Sequence, residues 1–68
     1  MNLDNWHRMD PHLLYSLVNT RLRNDYADLD DLARSLDLDR AALERRLAEA
    51  GYGYVADLNQ FRPERAGA

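Results

Sequence analysis

The chain has 68 residues, with nine arginines, no lysine, twelve acidic residues and no cysteine, and its net charge is −3. A chain of this length forms one domain with a thin core, and without cysteine it has neither disulfides nor thiolate metal sites. The acidic balance argues against a general attraction to nucleic acid or to anionic membranes. Because no segment is apolar enough for a signal peptide or a membrane helix, we expect a cytoplasmic protein with no membrane partner.

A leader of residues 1–9 precedes the first predicted helix, which runs over residues 11–24. Asp10 is a favourable N-cap residue, and Pro11 suits the first helical position because its φ angle is already helical. Apolar residues then recur at steps of three and four residues, which places them on one face of the helix. This predicted core face consists of Leu14, Leu17, Val18 and Leu22.

Two further helices each follow an aspartate that can cap the free amide groups of a helix. Asp28 precedes a short second helix, with Asp31 in the position of a capping-box acid. Asp39 precedes a third helix predicted over residues 40–50, and Gly51 suits the left-handed conformation that ends a helix. The predicted inward positions of these two helices are Leu29, Leu32, Ala33, Leu36, Leu43, Leu47 and Ala50.

The hydrophobic period changes after the third helix. Residues 52–55 and 60–62 are short β-prone runs, and residues 56–59 between them include common turn residues. Residues 63–68 have the composition of a frayed tail. We therefore predict a mainly α fold, a three-helix, helix-turn-helix-like bundle with a short C-terminal β-hairpin, in a single domain over residues 10–62.

Residues 29–51 have the spacing of a helix-turn-helix, with the small Ala33 in its first helix, although Asp37 stands in the turn where glycine is common. Between residues 28 and 50, however, four arginines stand against seven acidic residues. The local anions mask much of the positive charge that phosphate contacts need, so the sequence disfavours nucleic acid as a partner. If the domain reads DNA, the residues presented to the duplex are Arg40, Ala41, Glu44 and Arg45, with Arg62 in the hairpin as a wing.

Several arginines have an acid one helical turn away, an arrangement that stabilises a helix by about 0.2–0.5 kcal/mol per pair. The predicted pairs are Arg21–Asp25, Asp30–Arg34, Arg40–Glu44 and Arg45–Glu49. The arginines left without a partner in their own helix are Arg8, Arg23, Arg46, Arg62 and Arg65.

Two segments resemble a family of short bacterial proteins classed as a domain of unknown function. Residues 10–33, DPHLLYSLVNTRLRNDYADLDDLA, are similar to the family's Asp-Pro opening with its Leu-Leu-Ser, Val-Asn and Leu-Asp-x-Leu elements. Residues 51–61, GYGYVADLNQF, are similar to its Gly-Tyr-x-Tyr and Asn-Gln-Phe close. The family often has cysteine where this chain has Ala33, and a shorter leader, so no thiol role carries over. The resemblance implies a fold and a bacterial source, and no activity.

Few residues combine into a reactive site. His12 and Ser16 share a helical face near Asp10, as a base and a nucleophile would, but no oxyanion donors accompany them. His7 and His12 with Asp4 or Asp10 match no metal-ligand spacing. The run DYADLDD lacks the glycine and the terminal glutamate of a calcium loop. We therefore predict a non-enzymatic protein without a metal or cofactor.

The aromatic residues are the candidate contact surface. Tyr52, Tyr54 and Phe61 form either a platform for a peptide or single-stranded nucleic acid, or a lid that completes the core. Trp6 either packs on the bundle or docks on a partner. The candidate partner-binding residues are Trp6, Tyr15, Arg23, Tyr52, Tyr54 and Phe61. We predict an adaptor or structural module that contacts another protein or its own copy, and the alternative is a helix-turn-helix transcriptional regulator.

Overall fold

Three helices and a hairpin follow one another in the computed structural model, which describes residues 5–64. The helices are α1 (Pro11–Asn24), α2 (Leu29–Ser35) and α3 (Arg40–Ala48), and the strands are β1 (Tyr52–Val55) and β2 (Gln60–Pro63). Single 3₁₀ turns occupy Trp6–Arg8 and Ala56–Leu58. The predicted mainly α fold with a C-terminal hairpin is confirmed. Within the described residues, no helix combines the length and the apolar character needed to cross a bilayer.

Aspartates precede all three helices, but they cap them differently. Asp10 stands at the N-cap of α1 without a hydrogen bond from its side chain, so Pro11 alone marks that start. The Asp28 carboxylate accepts the amide of Asp31 at 2.8 Å. The Asp31 carboxylate reaches back to the amide of Ala27 at 3.1 Å, one residue beyond the position expected for a capping box. The two carboxylates therefore satisfy one free amide of α2, that of Asp31, and one amide of the preceding loop, that of Ala27.

The cap of α3 consists of two hydrogen bonds to one carboxylate. The Asp39 carboxylate accepts the amides of Ala41 at 3.0 Å and Ala42 at 3.4 Å. We expect Asp39→Ala to lower the free energy of unfolding by about 1 kcal/mol, since an N-cap aspartate typically contributes this much. Asp10→Ala is the matched control and should change stability by less than about 0.5 kcal/mol, because that carboxylate makes no capping bond. Urea denaturation followed by circular dichroism measures both, and equal losses would contradict the assignment.

The turn between α2 and α3 is closed by a Schellman motif. Asp37 has the left-handed φ of +57°, the role that glycine often takes at this position. The amide of Leu38 donates to the carbonyl of Ala33 at 2.8 Å, and the amide of Asp37 donates to the carbonyl of Arg34 at 3.4 Å. Aspartate tolerates this conformation better than most residues, so the departure from glycine leaves the turn intact.

Helix α3 ends at Ala48, two residues before the predicted Ala50. The amides of Ala50 and Gly51 bond to the carbonyls three residues earlier, which tightens the last turn out of α-helical geometry. Gly51 has a φ of +88°, which confirms the predicted left-handed residue at the end of the helix.

The core lies where the helices meet the hairpin. Most of the predicted inward residues are buried, while Leu17, Leu36 and Leu38 are partly buried against them. The buried side chains are Trp6, Leu14, Val18, Leu22, Leu29, Leu32, Ala33, Leu43, Leu47 and Phe61. Because Trp6 is in this set, the leader contributes to the core from that residue onward.

The hairpin lies across the helices, with β2 beside α1 and β1 beside α3. In the antiparallel register Tyr54 faces Phe61 and Tyr52 faces Pro63. The strand thus extends beyond the predicted end, and the amide of Glu64 bonds back to the carbonyl of Gly51. The predicted frayed tail therefore does not begin at residue 63, and its residues 65–68 lie outside the described range.

Candidate functional site

A groove of about 580 Å³ separates one flank of α1 from the turn of the hairpin. Its helical wall combines tyrosine, hydroxyl, amide and guanidinium groups, and its hairpin wall combines an apolar side chain with two amides. The lining residues are Tyr15, Ser16, Asn19, Thr20, Leu22, Arg23, Leu58, Asn59 and Gln60. We call this site the α1–hairpin groove.

The helical wall follows from the periodicity of α1. Tyr15, Asn19 and Arg23 recur at four-residue steps beside the buried stripe of the helix, so they form one continuous flank. Ser16 and Thr20 lie further from the core on the same side, and the Thr20 hydroxyl donates to the carbonyl of Ser16 at 2.9 Å. A regular helix therefore holds the groove's polar groups in a fixed row.

Asn19 fastens β2 to the helix. Its side-chain NH₂ donates to the carbonyl of Phe61 at 3.0 Å, and its side-chain oxygen accepts the amide of Phe61 at 2.7 Å. These two bonds occupy the backbone groups that β2 turns away from β1, so the amide side chain replaces a third strand at this position. The carboxamide of Asn19 is thereby committed to the fold.

We expect Asn19→Ala to lower the free energy of unfolding by about 1–3 kcal/mol, because two hydrogen bonds to a partly buried strand are lost. Thr20→Ala is the matched control, since the Thr20 hydroxyl bonds only within its own helix, and its effect should stay below about 0.5 kcal/mol. Urea unfolding measures both variants. Equal stability of Asn19→Ala and wild type would show that the two Asn19 bonds do not help to hold the hairpin on α1.

Asn59 fixes the hairpin turn against the end of α1. It adopts a left-handed φ of +50°, and its side-chain NH₂ donates to the carbonyls of Leu22 at 3.2 Å and Tyr26 at 3.4 Å. Its side-chain oxygen accepts the hydroxyl of Tyr54 at 2.7 Å. The carbonyls near a helix end have no partner in the helix, so Asn59 satisfies groups that would otherwise need water. The sequence marked this residue only as part of a turn.

Three polar groups in the groove stay available. In the described part of the chain, the Ser16 hydroxyl and the Gln60 side chain make no hydrogen bond, and Arg23 has no acidic partner. Leu58 lies beside them with 52% of its surface exposed. Ser16, Leu58 and Gln60 were not predicted as contact residues, because only the folded hairpin brings positions 58–60 to the flank of α1.

Two of the predicted surface aromatics meet beside the N-terminal half of α1. The rings of Tyr15 and Tyr52 stack with centroids 3.9 Å apart and planes 9° from parallel. The Tyr52 hydroxyl and Nδ1 of His12 lie 2.6 Å apart. His12 is therefore bonded to a tyrosine, and it makes no hydrogen bond to Ser16, the residue with which it was considered as a base and nucleophile.

The other predicted aromatics belong to the interior. Trp6 is 6% exposed and Phe61 is fully buried, so neither forms an exposed platform. Tyr54 is partly buried, and its hydroxyl also accepts the amide of Leu29 at 3.3 Å. The hairpin aromatics Tyr54 and Phe61 thus form the lid that completes the core, which corrects their assignment to a contact surface.

Arg40, predicted to face DNA, is engaged within the fold. Its guanidinium donates to Asp30 at 2.8 Å and to Glu44 at 3.2 Å, and lies 5.5 Å from the centre of the Tyr54 ring. The hydrogen bond from Arg40, reinforced by its charge, lowers the pKa of Asp30, and the bond to Asp30 raises the pKa of Arg40. This pairing corrects the predicted Asp30–Arg34 pair, because the partner comes from the neighbouring helix.

The remaining ion pairs follow the predictions in part. Arg21–Asp25 at 3.2 Å and Arg40–Glu44 are confirmed. Glu49 pairs with Arg46 at 3.0 Å and not with Arg45. The prediction that Arg46 has no partner in its own helix is therefore wrong. Arg46 also donates to the carbonyl of Met9 at 2.7 Å. These contacts tie the residue before α1 to α3.

Of the other residues considered for DNA contact, Ala41, Arg45 and Arg62 are exposed. Within residues 5–64, Arg45 and Arg62 have no ion-pair partner, and neither has the exposed Arg34. Arg45 borders a second depression of about 210 Å³ whose other walls are Trp6, His7, Ala42, Arg46 and Glu49. The cationic residues are thus spread around the domain, and Arg65 lies outside the described range.

No group of three or more metal-ligating side chains comes together in the part of the chain from Asn5 to Glu64. The His7 ring contacts the Trp6 ring at a tilt of 30°, and His12 bonds to Tyr52, so the two histidines considered as ligands have separate neighbours. Asp4, the third residue considered, lies outside the described range.

The family model for a domain of unknown function, DUF4250, matches residues 8–61. The chain belongs to the DUF4250 family. This match confirms the predicted resemblance at the level of a domain-of-unknown-function family, while the bacterial source and the individual motifs stay predictions. No curated protein and no solved structure matches the chain. The DUF4250 range contains every residue that lines the α1–hairpin groove, whereas Trp6 precedes it.

Proposed function

We propose that this DUF4250 protein is a non-enzymatic interaction module that holds a segment of another protein in the α1–hairpin groove. One observation carries the proposal: the groove presents unengaged Arg23, Ser16 and Gln60 side chains beside the exposed Leu58. The groove is more polar than most small-molecule pockets, and its oriented polar groups can fix the orientation of a bound segment. The proposed module acts in the cytoplasm.

The rigidity of both walls supports this role. Asn19 fixes β2 to α1 and Asn59 fixes the turn, so the groove exists before a partner arrives. A site that is already formed saves the entropy of ordering loops on binding. Tyrosine and arginine, represented by Tyr15 and Arg23, are also the residue types enriched at protein interfaces.

In-cell photo-crosslinking tests the proposal. A photoreactive phenylalanine analogue at Ser16 should capture a protein that the same group at Ala41, exposed on α3, does not capture. The captured protein is then purified and its affinity for the wild-type chain is measured directly. Leu58→Ala should weaken that affinity about tenfold, the effect of losing one well-packed leucine contact.

Leu13→Ala is the matched control, because Leu13 is similarly exposed, at 45%, but does not line the groove. It should leave the affinity unchanged. Equal capture from positions 16 and 41, or equal losses from Leu58→Ala and Leu13→Ala, would overturn the proposal.

A helix-turn-helix regulator is the second candidate, and the closed turn between α2 and α3 with exposed Arg34 and Arg45 supports it. Affinity for random duplex DNA, measured at two salt concentrations, separates the candidates. A regulator binds with a steep salt dependence that Arg45→Glu reduces, whereas the interaction module shows no binding at physiological salt. Because two acids engage Arg40, we expect no DNA binding at physiological salt.

A further inference from the structure

The charge of the α1–hairpin groove identifies the class of segment that fits it. Arg23 is the one charged side chain in the lining, and no carboxylate lines the groove. Asp25, the acidic residue nearest to Arg23 in the sequence, is bonded to Arg21 at 3.2 Å. On a chain with a net charge of −3, this groove is therefore a locally cationic site.

An apolar contact lies at the same end as that charge. Leu58 precedes Asn59, whose side chain bonds to the carbonyl of Leu22, the residue before Arg23. The turn thus holds Leu58 close to the end of α1 that carries the guanidinium. A partner that satisfies both groups needs a carboxylate and an apolar side chain near each other.

The other end of the groove is polar. The Ser16 hydroxyl and the Gln60 carboxamide can each donate and accept a hydrogen bond, as a peptide backbone requires. Gln60 and Arg62 alternate with the buried Phe61, so both lie on the outer face of β2. Arg62 therefore adds a second cation on the face that continues from the groove.

Two acidic residues of the hairpin region, Asp57 and Glu64, do not line the groove. Asp57 is exposed in the turn before Leu58, and the Glu64 side chain lies across Gly53, within 2.5 Å of where a Cβ atom on that glycine would be. Because these carboxylates repel an acidic partner outside the groove, the attraction is confined to a carboxylate that enters the groove. A nucleic acid needs several phosphate contacts, and it meets one cation in the groove lining, Arg23, and one beside the groove, Arg62.

We infer that the α1–hairpin groove binds an acidic protein segment, with a carboxylate on Arg23 and an apolar side chain on Leu58. This inference rests on the proposed function and specifies its partner class. Arginine presents two parallel N–H groups to a carboxylate, so an Arg23–carboxylate contact also fixes the direction of the segment. An exposed pair of this kind is weak, and the apolar contact supplies the rest of the affinity.

Short synthetic peptides test the inference on the ¹⁵N-labelled full chain by NMR titration. Three peptides share one leucine and differ only in whether the neighbouring residues are glutamate, glutamine or lysine. The glutamate peptide should shift the amide signals of residues 15–23 and 58–60 and bind about three- to tenfold more tightly than the lysine peptide. Added salt should reduce this preference, because the pair is exposed.

Variants assign the preference to the two side chains. Arg23→Gln should abolish the difference between the peptides, and Arg23→Lys, which keeps the charge at the helix end, should retain part of it. Arg45→Glu is the control outside the groove and should leave the preference unchanged. Leu58→Ala should weaken the binding of all three peptides, whereas Leu13→Ala should not.

The outcomes separate this inference from the proposed function. If the three peptides shift the groove signals and bind with equal affinity, the preference for acidic segments is overturned, but the groove is still a docking site. If no peptide shifts these signals, the inference is overturned, and the photo-crosslinking at position 16 decides the proposed function independently.

Discussion

Replacing Phe61 by alanine is expected to lower the free energy of unfolding by about 3–5 kcal/mol, the usual cost of emptying a buried aromatic site. Phe61 is the largest side chain in the fully buried core, and its ring contacts Tyr54 at a centroid distance of 5.4 Å. Domains are stable by only about 5–15 kcal/mol, and a chain this short lies at the low end. At 37 °C we therefore expect much of this variant to be unfolded.

Thermal and urea unfolding measure the effect, with Phe61→Leu and Arg62→Ala as references. Phe61→Leu keeps most of the apolar volume and should lose less than half as much stability. Arg62→Ala alters an exposed neighbour on the same strand and should stay within about 0.5 kcal/mol of wild type. A Phe61→Ala chain with wild-type stability would show that the hairpin is not part of the core.

The helices could be predicted from sequence because their signals are local. Pro11 and Asn24 bound α1 as predicted, and the aspartates before α2 and α3 act through amides two or three residues away. Gly51 likewise ends α3 through its own backbone conformation. Such contacts are fixed once a helix forms, whatever packs around it.

Most of the misassigned contacts join different elements, and the exception is Glu49, which pairs with Arg46 of its own helix and not with Arg45. Arg40 and Asp30 are ten residues apart, and no helical period brings them together. Asn19 contacts Phe61 across 42 positions, and the groove exists only because Asn59 folds the turn back onto α1. Hydrophobic periodicity gives the inward face of each element, but it does not show which side chains of neighbouring elements contact each other. The groove therefore had no signal in the sequence beyond the exposed polarity of Arg23.

Arg40 shows how acidic residues mask the positive charge that DNA binding would need. The sequence suggested that acids one turn away mask the arginines, whereas the fold recruits Asp30 from the neighbouring helix as well. A phosphate approaching α3 would have to displace two carboxylates from this guanidinium. Among the α3 residues considered for DNA contact, Arg45 is then the one arginine without an ion-pair partner within the described residues. One phosphate contact supplies little affinity.

Trp6→Ala should have an effect as large as that of Phe61→Ala, about 3–5 kcal/mol, because Trp6 is buried although it precedes all three helices. It borders Ala42 and Arg46 of α3, and Arg46 holds the carbonyl of Met9 beside it. Losing the indole leaves a cavity against α3 and frees the leader, so the Arg46 contact weakens with it.

Because Trp6 is part of the core, Trp6→Ala is a poor test of partner binding. A Trp6→Ala chain that loses a partner has first lost part of its core, so the groove variants at Leu58 and Arg23 are the informative ones. Urea unfolding followed by circular dichroism measures the stability, with Arg8→Ala, an exposed change in the same 3₁₀ turn, as the control expected to stay within about 0.5 kcal/mol. Wild-type stability in Trp6→Ala would place the start of the folded unit at Pro11. A loss of the expected size would mean that residues 8–61 alone, the DUF4250 range, form a weaker domain than the chain that includes Trp6.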